Sequence, residues 1–207
     1  MEVGILYLPS IGNKAEIIEG MAGRRTDLYQ TMVDNLVTQA QYIDEHGYYG
    51  IAFTEHHFHI EGEEVSTNPI MLDLYIAMQT KNLRVGQLGL VLPSHNPIRV
   101  AEDIAMLDQL TRGRAFAGFA RGYQPRWVNT LGQHYDTLGD STSDPERYEA
   151  LKKDLFYEHV EIIKKAWTQP TFRHKGKHWQ IPPPNVYWIA HDVTRAYGKG
   201  VDDQGYL

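Results

Sequence analysis

Four short apolar runs, each ended by a breaker or a polar cluster and each followed by a polar or helix-periodic stretch, constrain this chain more than any other feature. Val3-Gly4-Ile5-Leu6-Tyr7-Leu8 stops at Pro9, and Tyr49 to Phe53 runs into Thr54-Glu55-His56-His57-Phe58-His59. Arg84 to Leu92 closes on Pro93, and Arg114 to Ala120 delivers Arg121-Gly122-Tyr123-Gln124. The first run has the continuous apolar character of a strand buried on both faces. A polar, Gly-containing loop follows it. Then Leu28, Met32, Leu36, Ala40 and Ile43 recur every three or four positions, which predicts a helix from Asp27 to His46 with Thr26 as its cap and Gly47 as its stop. Asn68-Pro69 and Asn96-Pro97 each open a further helix, because proline at the first helical position loses no bond. The expected buried stripes are Ile70, Leu74, Ala77 and Met78 in the first, and Val100, Ile104, Leu107 and Leu110 in the second.

Strands alternating with helices in this way predict βα units and a parallel sheet. After Tyr123 the rhythm breaks: a polar loop is expected over 125–145, then a long helix from Arg147 to Trp167 and a small β-hairpin over 171–181 turning at Lys175-Gly176. The tail from Val186 has no clear periodicity. Four βα units suit either a small doubly wound sheet or the first half of an eight-stranded barrel, which typically needs about 250 residues. If the fold is a barrel, 207 residues cannot close it, and a single domain that is part of a longer chain is the expectation. Both architectures place functional groups at the C-terminal ends of the strands, where Glu55-His56-His57, Pro93-Ser94-His95 and Arg121-Gly122 all fall.

Composition narrows the chemistry. The formal charge of −6 and the lack of a basic block argue against a nucleic-acid partner. No apolar run is long enough to span a membrane and the N-terminus shows no export signal, so the cytoplasm is the expected address. With no Cys there is no disulfide framework, thiolate metal site or cysteine nucleophile. The work falls to His, carboxylates, Arg, Tyr or a borrowed cofactor.

Two chemistries fit the Glu55-to-His59 cluster. In an extended strand Glu55, His57 and His59 share one face, so two imidazoles and a carboxylate could bind a metal. An acid/base or cofactor-contacting role for His56 or His57 is favoured over this, since a neutral imidazole both donates and accepts. Arg121 beside Gly122 suits a phosphate or an anionic ring edge, with a surface ion pair as the plainer reading. Gly86 and Gly89 inside one strand fit a bulge or a ligand close to the backbone, or simply a buried strand. Neither a Gly-x-Gly-x-x-Gly turn nor a P-loop is present.

Read together, Glu55-His56-His57-Phe58, Asn68-Pro69, Val85-Gly86 through Leu92-Pro93, Asn96-Pro97-Ile98-Arg99-Val100-Ala101-Glu102-Asp103, Leu107-Asp108-Gln109-Leu110, Arg112-Gly113-Arg114 and Arg121-Gly122 resemble the bacterial luciferase-like flavin-dependent monooxygenases. The match runs in order over residues 1–124 and weakens beyond. This resemblance implies a (β/α)8 TIM barrel, present here as its N-terminal half or so. It implies reduced FMN supplied by a separate flavin reductase, and O2 as co-substrate forming a flavin C4a-hydroperoxide that oxidises a small organic molecule. Carried over residue by residue, it makes His56 the acid/base, keeps His57 and Glu55 close to it, puts Leu88-Gly89 at a non-prolyl cis peptide under the flavin ring, and sets Arg121 against the flavin's phosphate or polar side. Pairing with a second subunit, identical or not, through the helices after Asn68 and Asn96 is implied as well.

Ala120 stands where the luciferases proper carry a reactive Cys, so light emission is not expected. The family's further phosphate-binding residues lie on later strands and are not found here, which leads to an expected full length on the order of 330 residues. A non-catalytic flavin-binding protein, a deazaflavin-dependent oxidoreductase and a metal-dependent barrel hydrolase remain as alternatives.

Overall fold

A computed structural model describes residues 1–135, 144–184 and 192–197; the tail from Val186 lies largely outside them. The strands are β1 (Gly4–Tyr7), β2 (Gly50–Phe53), β3 (Arg84–Gln87), β4 (Leu90–Val91), β5 (Ala115–Phe116), β6 (Phe119–Ala120), β7 (His174–Lys175) and β8 (Gln180–Ile181). Helices α1 (Lys14–Glu19), α2 (Thr26–Glu45), α3 (Pro69–Gln79), α4 (Pro97–Thr111), α5 (Pro125–Leu131), α6 (Pro145–Thr168) and α7 (Asp192–Tyr197) accompany them. No helix among the described residues is long and apolar enough to cross a membrane.

The main sheet is parallel and ordered β1-β2-β3-β5, with Ile5, Ile51, Val85 and Ala115 in one row of the register. Ile5, Tyr7, Ile51, Phe53 and Val85 pack on Leu36, Ala40, Ile43, Ile76 and Ala77 of α2 and α3. A second core joins Leu90 and Leu92 to Val100, Ala101 and Ile104 of α4 and Ile163 of α6. The opposite face of the sheet carries small residues. Gly4, Gly50, Ala52 and Gly86 line it, and the Phe116 ring lies across Gly50 and Gly86 so closely that a side chain on Gly86 would collide with it.

The proline-opened helices form as their sequences predict. Asn68 caps α3 through Met71 N–H, and Asn96 caps α4 through Ile98 and Arg99 N–H. The buried stripe of α3 is rotated from the expectation, with Met78 exposed and Asp73 and Ile76 pointing inward, whereas in α4 Val100, Ile104 and Leu107 are buried as expected and Leu110 is exposed. Thr26 is the first residue of α2 rather than its cap, and Arg25 occupies the cap position without a side-chain bond. Two stretches expected as loops contain helices. Asn13 and Glu16 close a capping box on α1, and in α5 Pro125 presets the first turn while Trp127 and Val128 are fully buried.

The first strand is not buried on both faces: Leu6 is 49% exposed, because β1 pairs on one side only among the described strands and faces no cover on its glycine side. The third and fourth strands are each broken in two, β3 from β4 and β5 from β6, with β4 pairing β6 in register. The break falls at Leu88-Gly89 and Ala117-Gly118, where a Cβ on Gly118 would strike Gln87 O and one on Gly89 would come within 2.8 Å of the Phe119 backbone. The two strands approach too closely there for side chains. The expected hairpin is present, with His174 opposite Ile181.

Two buried polar groups tie these layers together and make stability depend on pH. His159 of α6 is fully buried, donating from Nδ1 to Leu92 O at 2.9 Å and accepting the Trp179 indole N–H at 2.9 Å on Nε2. Only the neutral ring can do both. Burial lowers its pKa from 6.5 to about 4, against a weaker opposing pull from the Leu92 carbonyl and Glu158. The unfolded chain therefore binds a proton the folded one refuses between these values, so stability is complete above pH 6.5 and falls toward pH 4. The expected loss is about 3 kcal/mol, and it should shrink in His159→Gln when urea melts are compared at pH 7 and pH 4.5. Asp73, also fully buried, accepts from Gln87 Nε2, and burial raises its carboxyl well above 3.8. Here the folded state holds the extra proton, so this group costs stability as pH rises above its unfolded value. Asp73→Asn is expected to remove that cost and leave the protein at least as stable at pH 7 by thermal melting, whereas Asp73→Ala should lose about 1–3 kcal/mol by stranding Gln87.

Candidate active site

All the candidate residues sit at the C-terminal ends of the strands, although they do not form one cluster. As β2 ends, Thr54, Glu55 and His56 pass under the rim and are buried. The Glu55 side chain has no exposure. Its Oε1 receives His57 Nε2 at 2.9 Å and His95 Nε2 at 2.7 Å, and its Oε2 accepts Val91 N–H at 2.6 Å. Burial alone would raise the carboxyl's pKa. The hydrogen bonds from His57, His95 and the Val91 amide outweigh it and hold the group below the usual carboxylate range. Glu55 is thus a buried anion joining the ends of β2 and β4 to the start of α4.

His56 faces the other way. Its backbone N–H donates to Ser66 O at 2.9 Å, and its ring lies 5.6 Å from that of His59, 6.1 Å from Tyr123 and 6.3 Å from Trp127. Its Nδ1 is 3.0 Å from Glu64 Oε2. Burial lowers the His56 pKa, with Glu64 pulling it up and His59 pulling it down, so the ring is neutral at pH 7. The strand-based expectation that His59 shares a face with Glu55 and His57 fails for a local reason. The extended run stops at Phe53, and Phe58 takes a left-handed φ of 63°, which turns the chain and hands His59 to the side of His56. The Glu55–His57–His59 metal set is therefore not assembled.

Leu88 is 51% exposed and its peptide bond to Gly89 is cis, the configuration that the family resemblance implies. Arg121, directly after β6, is exposed. The turn that follows it is fixed. Gly122 has φ 74° and no room for a Cβ, which would come 2.7 Å from both Val91 and Val128, and its carbonyl accepts Lys152 Nζ at 3.0 Å. Lys152 is itself buried on α6, close to the Glu149 carboxylate and over the Tyr148 ring. Trp127 closes the floor between the two halves of the rim, its ring tilted 51° against that of His57 at 5.1 Å and its indole N–H donating to Gln124 Oε1 at 3.1 Å.

Sequence reading reached the rim at Pro93-Ser94-His95 but gave His95 no role, and it passed over Glu64, Lys152 and Trp127. His95 carried a signal, since it follows a strand end as the other candidates do. Lys152 carried none, because a lysine on a charged helix gives no sign that it reaches a carbonyl 30 residues away.

Comparison with known proteins places the chain in a family. The family described as Luciferase-like monooxygenase matches residues 11–197. The 3,6-diketocamphane 1,6-monooxygenase of Pseudomonas putida is 27% identical over 184 residues, covering 89% of this chain and 45% of that protein. A structure of the oxygenating constituent of 3,6-diketocamphane monooxygenase from Pseudomonas putida, a type II Baeyer-Villiger monooxygenase in complex with FMN, superposes with a TM-score of 0.63 at 25% identity, covering 87% of this chain and 42% of that one. An F420-dependent secondary alcohol dehydrogenase shares the fold at 15% identity, with a TM-score of 0.57 and coverage of 87% and 47%. The chain spans under half the length of the curated relatives it matches. On the extent of the family match, this chain belongs to the luciferase-like monooxygenase family and has an α/β fold with a parallel sheet.

Proposed function

We propose that the chain supplies the flavin side of an FMNH2-dependent oxygenase that uses O2 to oxidise a small organic substrate, its reduced flavin coming from a separate reductase. The observation that carries the reading is the convergence on one rim of a locked carboxylate, a neutral buried imidazole, an apolar ledge and an exposed guanidinium that has no partner among the described residues. The ledge is Leu88, exposed beside a glycine at which the backbones of two strands nearly touch. A flat ring system fits such a surface. Arg121, exposed on a fixed turn, fits its anionic tail through paired N–H donors. Bound FMN would supply the electron transfer and oxygen activation that no side chain here can perform.

The residues of the chain then have separable tasks. Glu55 holds His57 and His95 in fixed orientation, and because it stays ionised it favours hydrogen on the nitrogens facing it. His56 is neutral at pH 7 and so can take up or give a proton at its ring nitrogen. Trp127 and Val128 exclude water beneath. The same reading makes the sheet the N-terminal half of an eight-stranded barrel, with the small residues of its inner face to be covered by later strands. It also pairs the exposed apolar side of α3 and α4, with Met71, Tyr75, Met78, Met106 and Leu110, against a second subunit.

Anaerobic titration of the whole protein with photoreduced FMN, followed by its flavin spectrum, tests this. Arg121→Ala should weaken binding about ten- to hundredfold. His56→Ala should bind FMN nearly as well but lose about a hundredfold or more in turnover when reductase, NADH and oxygen are supplied. Failure of the full-length protein to bind FMN would sink the reading. Binding of a deazaflavin in its place would move the enzyme to the hydride-transfer branch, and tight FMN binding without turnover on any substrate would make it a flavin carrier.

A further inference from the structure

Behind the rim, on the side away from Glu55, two buried imidazoles and a carboxylate face one another. The His56 and His59 side chains are 8% and 7% exposed. Gln124 fixes where one of them carries a hydrogen. Its Nε2 donates to the Tyr123 hydroxyl at 3.0 Å, which turns Oε1 toward the Trp127 indole N–H at 3.1 Å and His59 Nε2 at 3.0 Å. For His59 Nε2 to bond this oxygen it must carry the hydrogen. That leaves Nδ1 as the ring nitrogen available to a ligand, and it is buried without a hydrogen-bond partner among the described residues. Glu61 Oε1, at 3.6 Å, is another acceptor.

No side chain fixes the hydrogen of His56 in this way; its Nδ1 lacks a well-directed hydrogen bond among the described residues, although Glu64 Oε2 stands 3.0 Å away. Glu64 is held there by its backbone. It adopts a left-handed φ of 48°, its N–H donates to Ser10 Oγ at 3.1 Å, and Val65 N–H donates to Pro9 O at 2.6 Å. Ligand atoms of His56, His59 and Glu64 lie within 4.8 Å of one another. Two buried imidazole nitrogens and a carboxylate, the donor set of a transition-metal site, thus converge on one small space.

We propose that His56 Nδ1, His59 Nδ1 and the Glu64 carboxylate form a binding site for a divalent transition-metal ion of the zinc class, with a fourth position open to water. Two imidazoles with one carboxylate select Zn2+, Co2+ or Ni2+ over Mg2+ and Ca2+, which take oxygen ligands. Tetrahedral ligand atoms sit roughly 3.4 Å apart around zinc, so small side-chain rotations close the set. The site goes beyond the flavin reading and does not rest on it. The two meet at His56, because an ion on Nδ1 takes the lone pair that acid/base work at that nitrogen would use. Bound metal is accordingly an inhibitor of any reaction that employs it.

The test is a Co2+ titration of the tag-free, chelator-treated whole protein, read by visible ligand-field absorption and by calorimetry, with FMN binding measured in parallel. One tightly held Co2+ per chain, displaced by Zn2+, with tetrahedral-type absorption, is expected. His59→Ala should weaken it by more than about a hundredfold, beyond the range seen for outer-shell partners. Glu64→Gln, a near-isosteric change, should weaken it too, while circular dichroism and FMN affinity show both variants folded. Absence of stoichiometric binding, or binding unchanged in both variants, would overturn the proposal; the second result would assign the ion to surface histidines. A folded protein that binds FMN and no metal would leave the flavin reading standing and this one refuted.

Discussion

A carboxylate with no solvent exposure has to be surrounded by donors, and Glu55 has enlisted three from different parts of the chain. Removing one partner of a buried ion leaves an uncompensated charge, a loss far larger than that of a surface contact. Positions along the rim follow from this. The Val91 amide can reach Glu55 only because the third strand is interrupted two residues earlier, at Gly89, and restarts at β4. His95 is brought in by the helical turn over Leu92–Ser94, and the same turn offers Leu92 O to His159 of α6. With Glu55 turned inward on one side, its neighbour His56 is presented on the other. The site and the second core therefore share a common set of bonds.

Much of the scaffold was legible because it depends on local rules. Asn-Pro pairs announced α3 and α4, apolar runs announced the strands, and Lys175-Gly176 marked the hairpin turn. The strand ends also indicated where polar residues would gather. The family motifs added the Leu88-Gly89 cis peptide, which no periodicity could have supplied.

What was not legible depends on tertiary contact. The rotation of α3 that buries Asp73 and exposes Met78 is set by Gln87, a partner on another element. The exposure of Leu6 arises because β1 is an edge among the described strands, a property of the assembled sheet rather than of its apolar run. Division of the five residues from Glu55 to His59 into two opposed clusters turns on the single φ of Phe58, which the alternation rule for strands assumes away. The placing of a hydrogen on His59 Nε2 was further out of reach, since it follows from the way Gln124 is turned.

The order of the main sheet, β1-β2-β3-β5, with β4 and β6 continuing its third and fourth strands, is also the order of synthesis. Each new strand is laid against the one made just before it, and none is inserted between two that already exist. The loop to be closed at each step is that of one crossover, so its entropic cost does not grow as the sheet widens. An edge remains open at every stage to receive the next strand, and the same edge is where a stalled or truncated nascent chain would be most prone to pair with the wrong neighbour.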